Sequence, residues 1–177
     1  MLKILFPTYS DIDQIGSLNK RYLISHLTEP ERHKGFIRIQ YCKEELERII
    51  DHKEIVVAAK NDKIFAYYLI GRLSESPLLE YQINKAKSLS DASQIPFEKI
   101  GYGCQVCIDE PHRNNGLFKS MLITLSNAVS DKYSHLLCSV SNDNIVSMKT
   151  HLNNGWKIFD SFESSNCLTF ETSKSLK

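Results

Sequence analysis

Hydrophobic positions along this chain change period several times, and each change marks an element. Residues 2–6 are a short apolar run stopped by Pro7, which reads as a strand. Ile12, Ile15, Leu18 and Tyr22 then recur at helical spacing, behind Ser10 and Asp13 arranged as a capping pair. A looser stretch with Pro30 and Gly35 leads to a second helix over Lys43–Asp51, with Leu46, Ile49 and Ile50 inward. The runs EIVVAAK and KIFAYYLI are rich in β-branched and aromatic residues. Asn61 and Asp62 between them tolerate the positive φ of a tight hairpin turn. Tyr67 and Tyr68 point to opposite sides of their strand, so one is expected in the core and the other at the edge of a cleft.

Residues 74–99 are more polar and read as a connection with one helical segment through Leu79, Ile83 and Ala86, ending in a loop at Pro96. Residues 100–108, IGYGCQVCI, read as one strand. The turn DEPHRNN then enters a helix opening at Gly116, with Leu117, Met121, Leu122, Leu125, Ala128 and Val129 as its buried stripe. The strand HLLCSV follows, then a helix over Ile145–Asn153 with Ile145, Met148 and Leu152 facing in. WKIFDSF and CLTFET supply two closing strands, with Trp156 and Phe159 packed against the sheet. The order β-α-α-β-β-β-α-β-α-β-β predicts a mixed α/β sheet carrying helices, and a chain of 177 residues fits a single domain, 1–177, with a real core.

Charge narrows the function classes. The 22 basic and 21 acidic side chains leave +1 overall, without the basic surplus that displaces phosphate counterions, so no nucleic-acid partner is expected. No stretch approaches the roughly eighteen apolar residues of a membrane span, and the first apolar run is too short for a signal peptide; a cytoplasmic protein without a membrane partner is expected. Five cysteines, an odd number, fit reduced thiols better than a disulfide framework. Cys104 and Cys107 form a CxxC, but without a second pair. Their spacing in a strand sends them to opposite faces, so buried thiols are expected rather than a metal or redox site. His26, His33, His52 and His135 show no helical metal spacing and read as surface or loop residues.

Two segments carry candidate chemistry. In CIDEPHRNNGLFKSML a strand ends at Ile108 and Gly116 opens an amphipathic helix, whose first N–H groups lack intrahelical acceptors. Such an end cradles a pyrophosphate where the backbone allows close approach, and Arg113 would add charge-assisted contacts. In SVSNDNIVSMKTHLNNGWKIF, Asn144 is the expected N-cap of a short helix that leads to Gly155 and Trp156.

Together these segments resemble the Gcn5-related N-acetyltransferase (GNAT) family, specifically over residues 101–159 and in element order over the whole chain. In that family a strand with a β-bulge enters an Arg/Gln-x-x-Gly-x-Gly/Ala loop, matched here by Arg113, Asn114, Asn115, Gly116, Leu117 and Phe118. Its later Asn-x-x-Ala-x-x-Leu-Tyr and Gly-Phe are matched by Asn144, Ser147, Thr150 and His151, then Gly155 and Trp156. Phe118 replaces a small residue and is expected to pack into the core. His151 stands where the family commonly has tyrosine.

The resemblance implies a mostly antiparallel mixed sheet with helices on both faces. It also implies acetyl-CoA as cosubstrate without a metal, and direct attack of an amine on the thioester. Backbone groups of Val106, Cys107 and Ile108 would pair with the pantetheine arm, with residues 113–118 and Asn144 completing the cofactor site. His151 would protonate the leaving thiolate, or else simply hydrogen-bond the cofactor or cap a helix face. No carboxylate on residues 100–108 offers a base; Glu110 and His112 lie beyond the strand. The acceptor, a small-molecule or peptide amine, would meet residues 23–40, 74–99 and the final hairpin. A homodimer is left open. The alternatives are a catalytically silent acyl-CoA-binding or regulatory domain and an interaction domain that keeps only the fold.

Overall fold

The computed structural model describes residues 2–172. Its strands form two four-stranded sheets. In the first, β1 (Lys3–Leu5), β2 (Ile55–Lys60), β3 (Lys63–Ile70) and β5 (Cys104–Ile108) lie in that order, all antiparallel. In the second, β4 (Ile100–Tyr102) runs parallel to β6 (His135–Ser141). Beyond β6 lie β8 (Ser165–Glu171) and then β7 (Lys157–Ser161), both pairs antiparallel. The hairpin turn between β2 and β3 has Asn61 and Asp62 at φ 51° and 60°, the left-handed pair that a two-residue turn needs.

Residues 100–108 are not one strand. Gly103, at φ 78°, breaks the run, so β4 joins the second sheet and β5 the first. A side chain at Gly103 would also meet the backbone of Gly71, whose N–H donates to the Gly103 carbonyl. The two sheets therefore part like a V beyond Gly103. Near this apex the fully buried Glu54 carboxylate accepts from Arg72, Lys132 and the Tyr133 hydroxyl, binding the ends of β2, β3 and the helix before β6 together.

Helices cover both faces. α5 (Leu117–Val129) packs Leu117, Phe118, Met121, Leu122, Leu125 and Val129 against Val56, Ala66, Tyr68, Leu136, Cys138 and Leu168. On the other face α1 (Ile12–Arg21) and α3 (Lys43–Asp51) pack Ile12, Ile15, Leu18, Leu46 and Ile49 against Ile55, Val57, Tyr67 and Leu69. A four-residue helix, α2 (Glu29–Arg32), sits in the loose stretch between them. The polar connection holds α4 (Leu78–Ser93), whose Ala86 and Leu89 rest on Ile100, Leu137 and Cys167, with Phe159 partly buried beside them. α6 (Ile145–Asn153) stands after β6. No helix among the described residues is long and apolar enough to cross a membrane.

Several local expectations change. The capping pair is Thr8 and Asp11 rather than Ser10 and Asp13, and it caps a short 3₁₀ turn, Tyr9–Asp11, that leads into α1. The Thr8 N–H donates to Asp11, and Ser10 only shares a hydrogen bond with the Thr8 hydroxyl. Ile50 is partly rather than fully buried. In α5, Ala128 is exposed and Ser126 takes its place inside, because the stripe drifts around a 13-residue helix. Tyr67 and Tyr68 are both fully buried, one in each core, and neither borders a cleft. In α6, Ile145 and Leu152 face solvent at 57% and 40% exposure, while His151 is buried.

Candidate functional site

The V leaves one edge of β5 without a strand partner. Asp109 donates to the Phe65 carbonyl, in register with the β3–β5 ladder. Antiparallel pairs alternate between hydrogen-bonded and non-hydrogen-bonded, so Cys107 with Tyr67 and Gln105 with Leu69 are also hydrogen-bonded pairs. The backbone groups of Val106 and Ile108 consequently point the other way, into the cleft, whereas those of Cys107 are taken up by β3. Of the three residues expected to offer backbone to a ligand, the middle one is turned away. Its thiol lies in the opposite core, and burial pushes it up to about 12, far from a reactive thiolate. The expected bulge in this strand is absent: its register runs unbroken from Cys104 to Ile108, and Gly103 makes the bend instead.

Past Ile108 the chain turns through a short 3₁₀ segment, Glu110–His112, into α5. Asn114 and Gly116 both take left-handed backbone, at φ 62° and 73°. The first helical bond of α5 runs from Ser120 N–H to the Gly116 carbonyl, which leaves the N–H groups of Leu117, Phe118 and Lys119 without intrahelical acceptors. A side chain added at Gly116 would meet no protein atom within 4 Å. Open space thus lies directly over a set of unpaired donors at a helix N-terminus, which favours an anion. The Asn115 side chain is exposed and does not line this space.

Arg113 lines the same space while also acting as a strut. Its Nε donates to the Ile108 carbonyl at 2.8 Å, one Nη donates to the Lys34 carbonyl, and its guanidinium lies over the Tyr22 ring. Glu110 pairs with Lys34 at 2.7 Å at the outer rim, and His112 stacks on Phe65. His112 lines neither cavity of the cleft.

α6 closes the cleft from the other sheet. Asn144 is its N-cap, accepting from Ser147 N–H, and the same side chain donates to the Phe36 carbonyl at 2.8 Å. That bond ties residues 35–39, which cross over the cleft, to α6. About two turns on from Asn144, His151 is buried between the Phe118 and Trp156 rings, edge-on to both. Its Nδ1 lies 2.8 Å from the Ser147 carbonyl, which accepts only, so Nδ1 carries the proton and Nε2 is left with its lone pair. Burial lowers the imidazole to about 4, so it is neutral at pH 7. Phe118 fills the core, as its apolar bulk requires, and supplies one wall of the His151 site.

Two cavities open from opposite sides of this cleft. One of about 770 Å³ runs over Arg113, Asn114, Gly116 and Leu117 toward Asn144 and Thr150. The other, about 320 Å³, lies between residues 36–39, α4 and the β7–β8 turn. These are the three segments in which an acceptor cleft was expected. Both cavities are lined by Phe36, Ile37, Val106, Asn144, Ser147 and His151, so they meet at one junction. Ser147 stands in the later motif, whereas residues 36–39 carry no motif or period of their own; they border the junction because Phe36 bonds to Asn144. No group of three or more metal-ligating side chains occurs among the described residues.

Comparisons with known proteins bear on this geometry. No protein-family model and no curated protein matches the chain. Solved structures do. The PaiA N-acetyltransferase of Thermoplasma acidophilum, in complex with coenzyme A, superposes with a TM-score of 0.66 at 12% identity over 97% of this chain and 99% of its own. YncA of Salmonella typhimurium, with acetyl-CoA as its cofactor, gives 0.64 at 11% identity over 99% and 96%. A GNAT-family acetyltransferase of Streptococcus pneumoniae gives 0.63 at 16% identity over 97% and 99%. The chain has the GNAT fold.

Proposed function

We propose, from the GNAT fold and the junction of two cavities, that residues 1–177 form an acyl-CoA-dependent N-acyltransferase acting on an amine. The observation that carries this reading is the convergence of an elongated, phosphate-suited cavity and a separate small cavity on His151 and the free edge of β5. Solved structures of the same fold hold acetyl-CoA or coenzyme A. The residues here suit that ligand class. The N–H groups of Leu117, Phe118 and Lys119 would take the pyrophosphate, aided by the Arg113 donors not used by carbonyls. Val106 and Ile108 would receive the pantetheine amides as an added strand does.

The acceptor would enter the smaller cavity and attack the thioester carbon as a neutral amine. The new C–N bond forms as the C–S bond breaks, and the amine's proton must reach the departing sulfur. No carboxylate lines the junction among the described residues. His151 would therefore take that proton at Nε2 and pass it to the thiolate, acting as general acid only after it has acted as base. Its hydrogen bond to Ser147 fixes the tautomer this role needs. Positioning and a dry junction, rather than a covalent enzyme intermediate, would supply most of the acceleration.

Calorimetry with acetyl-CoA tests the reading. Wild type is expected to bind saturably, and Gly116→Trp to lose at least about 100-fold in affinity by filling the open space over the helix end. The far-ultraviolet circular dichroism of that variant should stay native, and its thermal midpoint should fall only slightly, since φ at Gly116 is 73°. Absence of binding by folded wild type would leave the fold without the activity.

A further inference from the structure

The smaller cavity carries an electrostatic signature that no expectation from the sequence contained. Of the described residues lining it, none is Asp, Glu or Lys, and Arg38 is the one charged side chain. Its remaining polar groups include Tyr81, Gln82, Gln105 and several serines, while His151 is neutral. Glu163 is exposed in the turn between Phe162 and Ser164 and is not part of the lining. Lys85, behind Tyr81 and Phe162, is paired with Asp160, so that pair adds no net charge.

Arg38 itself is held but not neutralised. Its Nη2 donates to the Ser141 hydroxyl at 3.1 Å, and the guanidinium lies over the Phe36 ring at 5.7 Å. Arg21, Arg48 and Arg72 each pair with a carboxylate, whereas Arg38 has no ion pair among the described residues. A guanidinium oriented by two neighbours, with most of its fork free, suits a planar carboxylate. Two further features fit a ligand that brings its own polar groups. The buried Tyr81 hydroxyl has no protein partner, and Gln82 uses its carbonyl on Gly103 N–H, leaving its NH₂ as a donor. Leu78 and Phe162, 49% and 59% exposed, give the entrance an apolar wall.

We infer that the acceptor is a small primary amine bearing a carboxylate, of amino-acid size and with an apolar side chain, its carboxylate received by Arg38. This rests on the acyltransferase reading. The cavity's volume sits at the small end for ligand sites, which suits such a molecule better than a folded protein's lysine. A polyamine or polycationic amine would bring several ammonium groups to a cavity that has no anion and one guanidinium. The same positive charge helps a carboxylated acceptor by lowering the pKa of its amine, so that more of it is neutral and able to attack.

The test compares leucine, methionine and phenylalanine with their amides, and uses spermidine as the polycation. Values of kcat/KM are referred to the neutral-amine fraction, because amidation also lowers the α-amine pKa. Coenzyme A release is followed with a thiol reagent. Wild type should prefer each free acid over its amide by about 10- to 100-fold in kcat/KM and should not use spermidine. Arg38→Gln should raise KM for the acids by a similar factor with little change in kcat, leaving acid and amide nearly equal. Arg38→Lys should recover part of the preference. Equal or better use of amides or spermidine overturns the assignment, as does an unchanged preference in Arg38→Gln. Acetyl-CoA binding, measured separately, reports on the transferase reading. If no acceptor turns over, calorimetry of the same pairs on coenzyme A-saturated protein decides. Tighter binding of acids than amides, lost in Arg38→Gln, sustains the carboxylate site; equal heats, or none, overturn it.

Discussion

α5 and α6 flank one cleft and are built on opposite rules. α5 turns Met121, Leu122 and Leu125, all fully buried, toward the sheet and gives the cleft only its first turn, as backbone and the Phe118 ring. α6 turns Asn144, Ser147 and His151 to the cleft, packs Met148 against the core, and leaves Ile145 and Leu152 outside. The first helix is held by apolar burial, which follows the 3.6-residue period. The second is held by a cap, a strap bond and two ring contacts, and its inward face is polar because that face borders the junction. Where most of a helix's apolar side chains are left outside, its cleft-facing positions have been taken by polar groups.

His151 gives the sharpest test of that contrast, because its replacement should cost activity and gain acid tolerance together. His151→Phe keeps a ring between Phe118 and Trp156 but removes the proton carrier. With a working acceptor, kcat should fall by about 10²- to 10⁴-fold while acetyl-CoA affinity stays within a few fold. An unchanged kcat across the pH range would remove His151 from the proton path. The stability arm follows from linkage. The folded value of about 4 lies below the ordinary 6.5, so between these values the unfolded chain binds the proton that the folded one excludes. This contribution is fully present above pH 6.5 and is lost as pH falls toward 4, by about 3 kcal/mol in all. Urea titrations from pH 7 to 4 should show the Phe variant with a correspondingly flatter decline. Parallel slopes would mean that the imidazole is solvated, against the burial described above.

Truncations on matched positions probe the faces directly. Leu125→Ala in α5 should destabilise by about 2–5 kcal/mol through lost burial and a residual cavity. Leu152→Ala in α6, on a side chain 40% exposed, should stay within about 0.5 kcal/mol. Chemical denaturation measures both. A large loss at Leu152 would mean that α6 turns its apolar side inward after all and that the polar face is exposed.

This contrast also explains what could be read from the residues. The hairpin at Asn61-Asp62, the α5 stripe and the glycine at its start follow from local rules, and the structure realises them. Gly103 was visible in IGYGCQVCI, yet a glycine within an apolar run does not say that the halves belong to different sheets; long-range pairing with β3 and β6 decides that. The turned-away backbone of Cys107 depends on register, which no single strand encodes. In α6, of Ile145, Met148 and Leu152 only Met148 packs against the core, partly buried, while the other two face solvent, since periodicity finds a face without telling which side is packed. Arg38 lay in an aperiodic stretch, and its isolation from carboxylates exists only once three distant segments have met.

Asn144 supports the smallest prediction and separates its two tasks. Its Oδ1 caps α6 through Ser147 N–H, while its Nδ2 holds the Phe36 carbonyl of the strap over the cleft. Asn144→Ala removes both and should cost about 1–2 kcal/mol. Asn144→Asp keeps the acceptor for the cap, and its charge suits a helix N-terminus, but it places a carboxylate against the Phe36 carbonyl. If the strap bond orders the junction, the Asp variant should stay near wild type in α6 hydrogen-exchange protection yet show faster exchange over residues 35–39 and weaker acetyl-CoA binding. If both variants lose α6 protection equally, the cap bond is not what holds this helix, and the contrast between α5 and α6 would have to rest on the ring contacts of His151 alone.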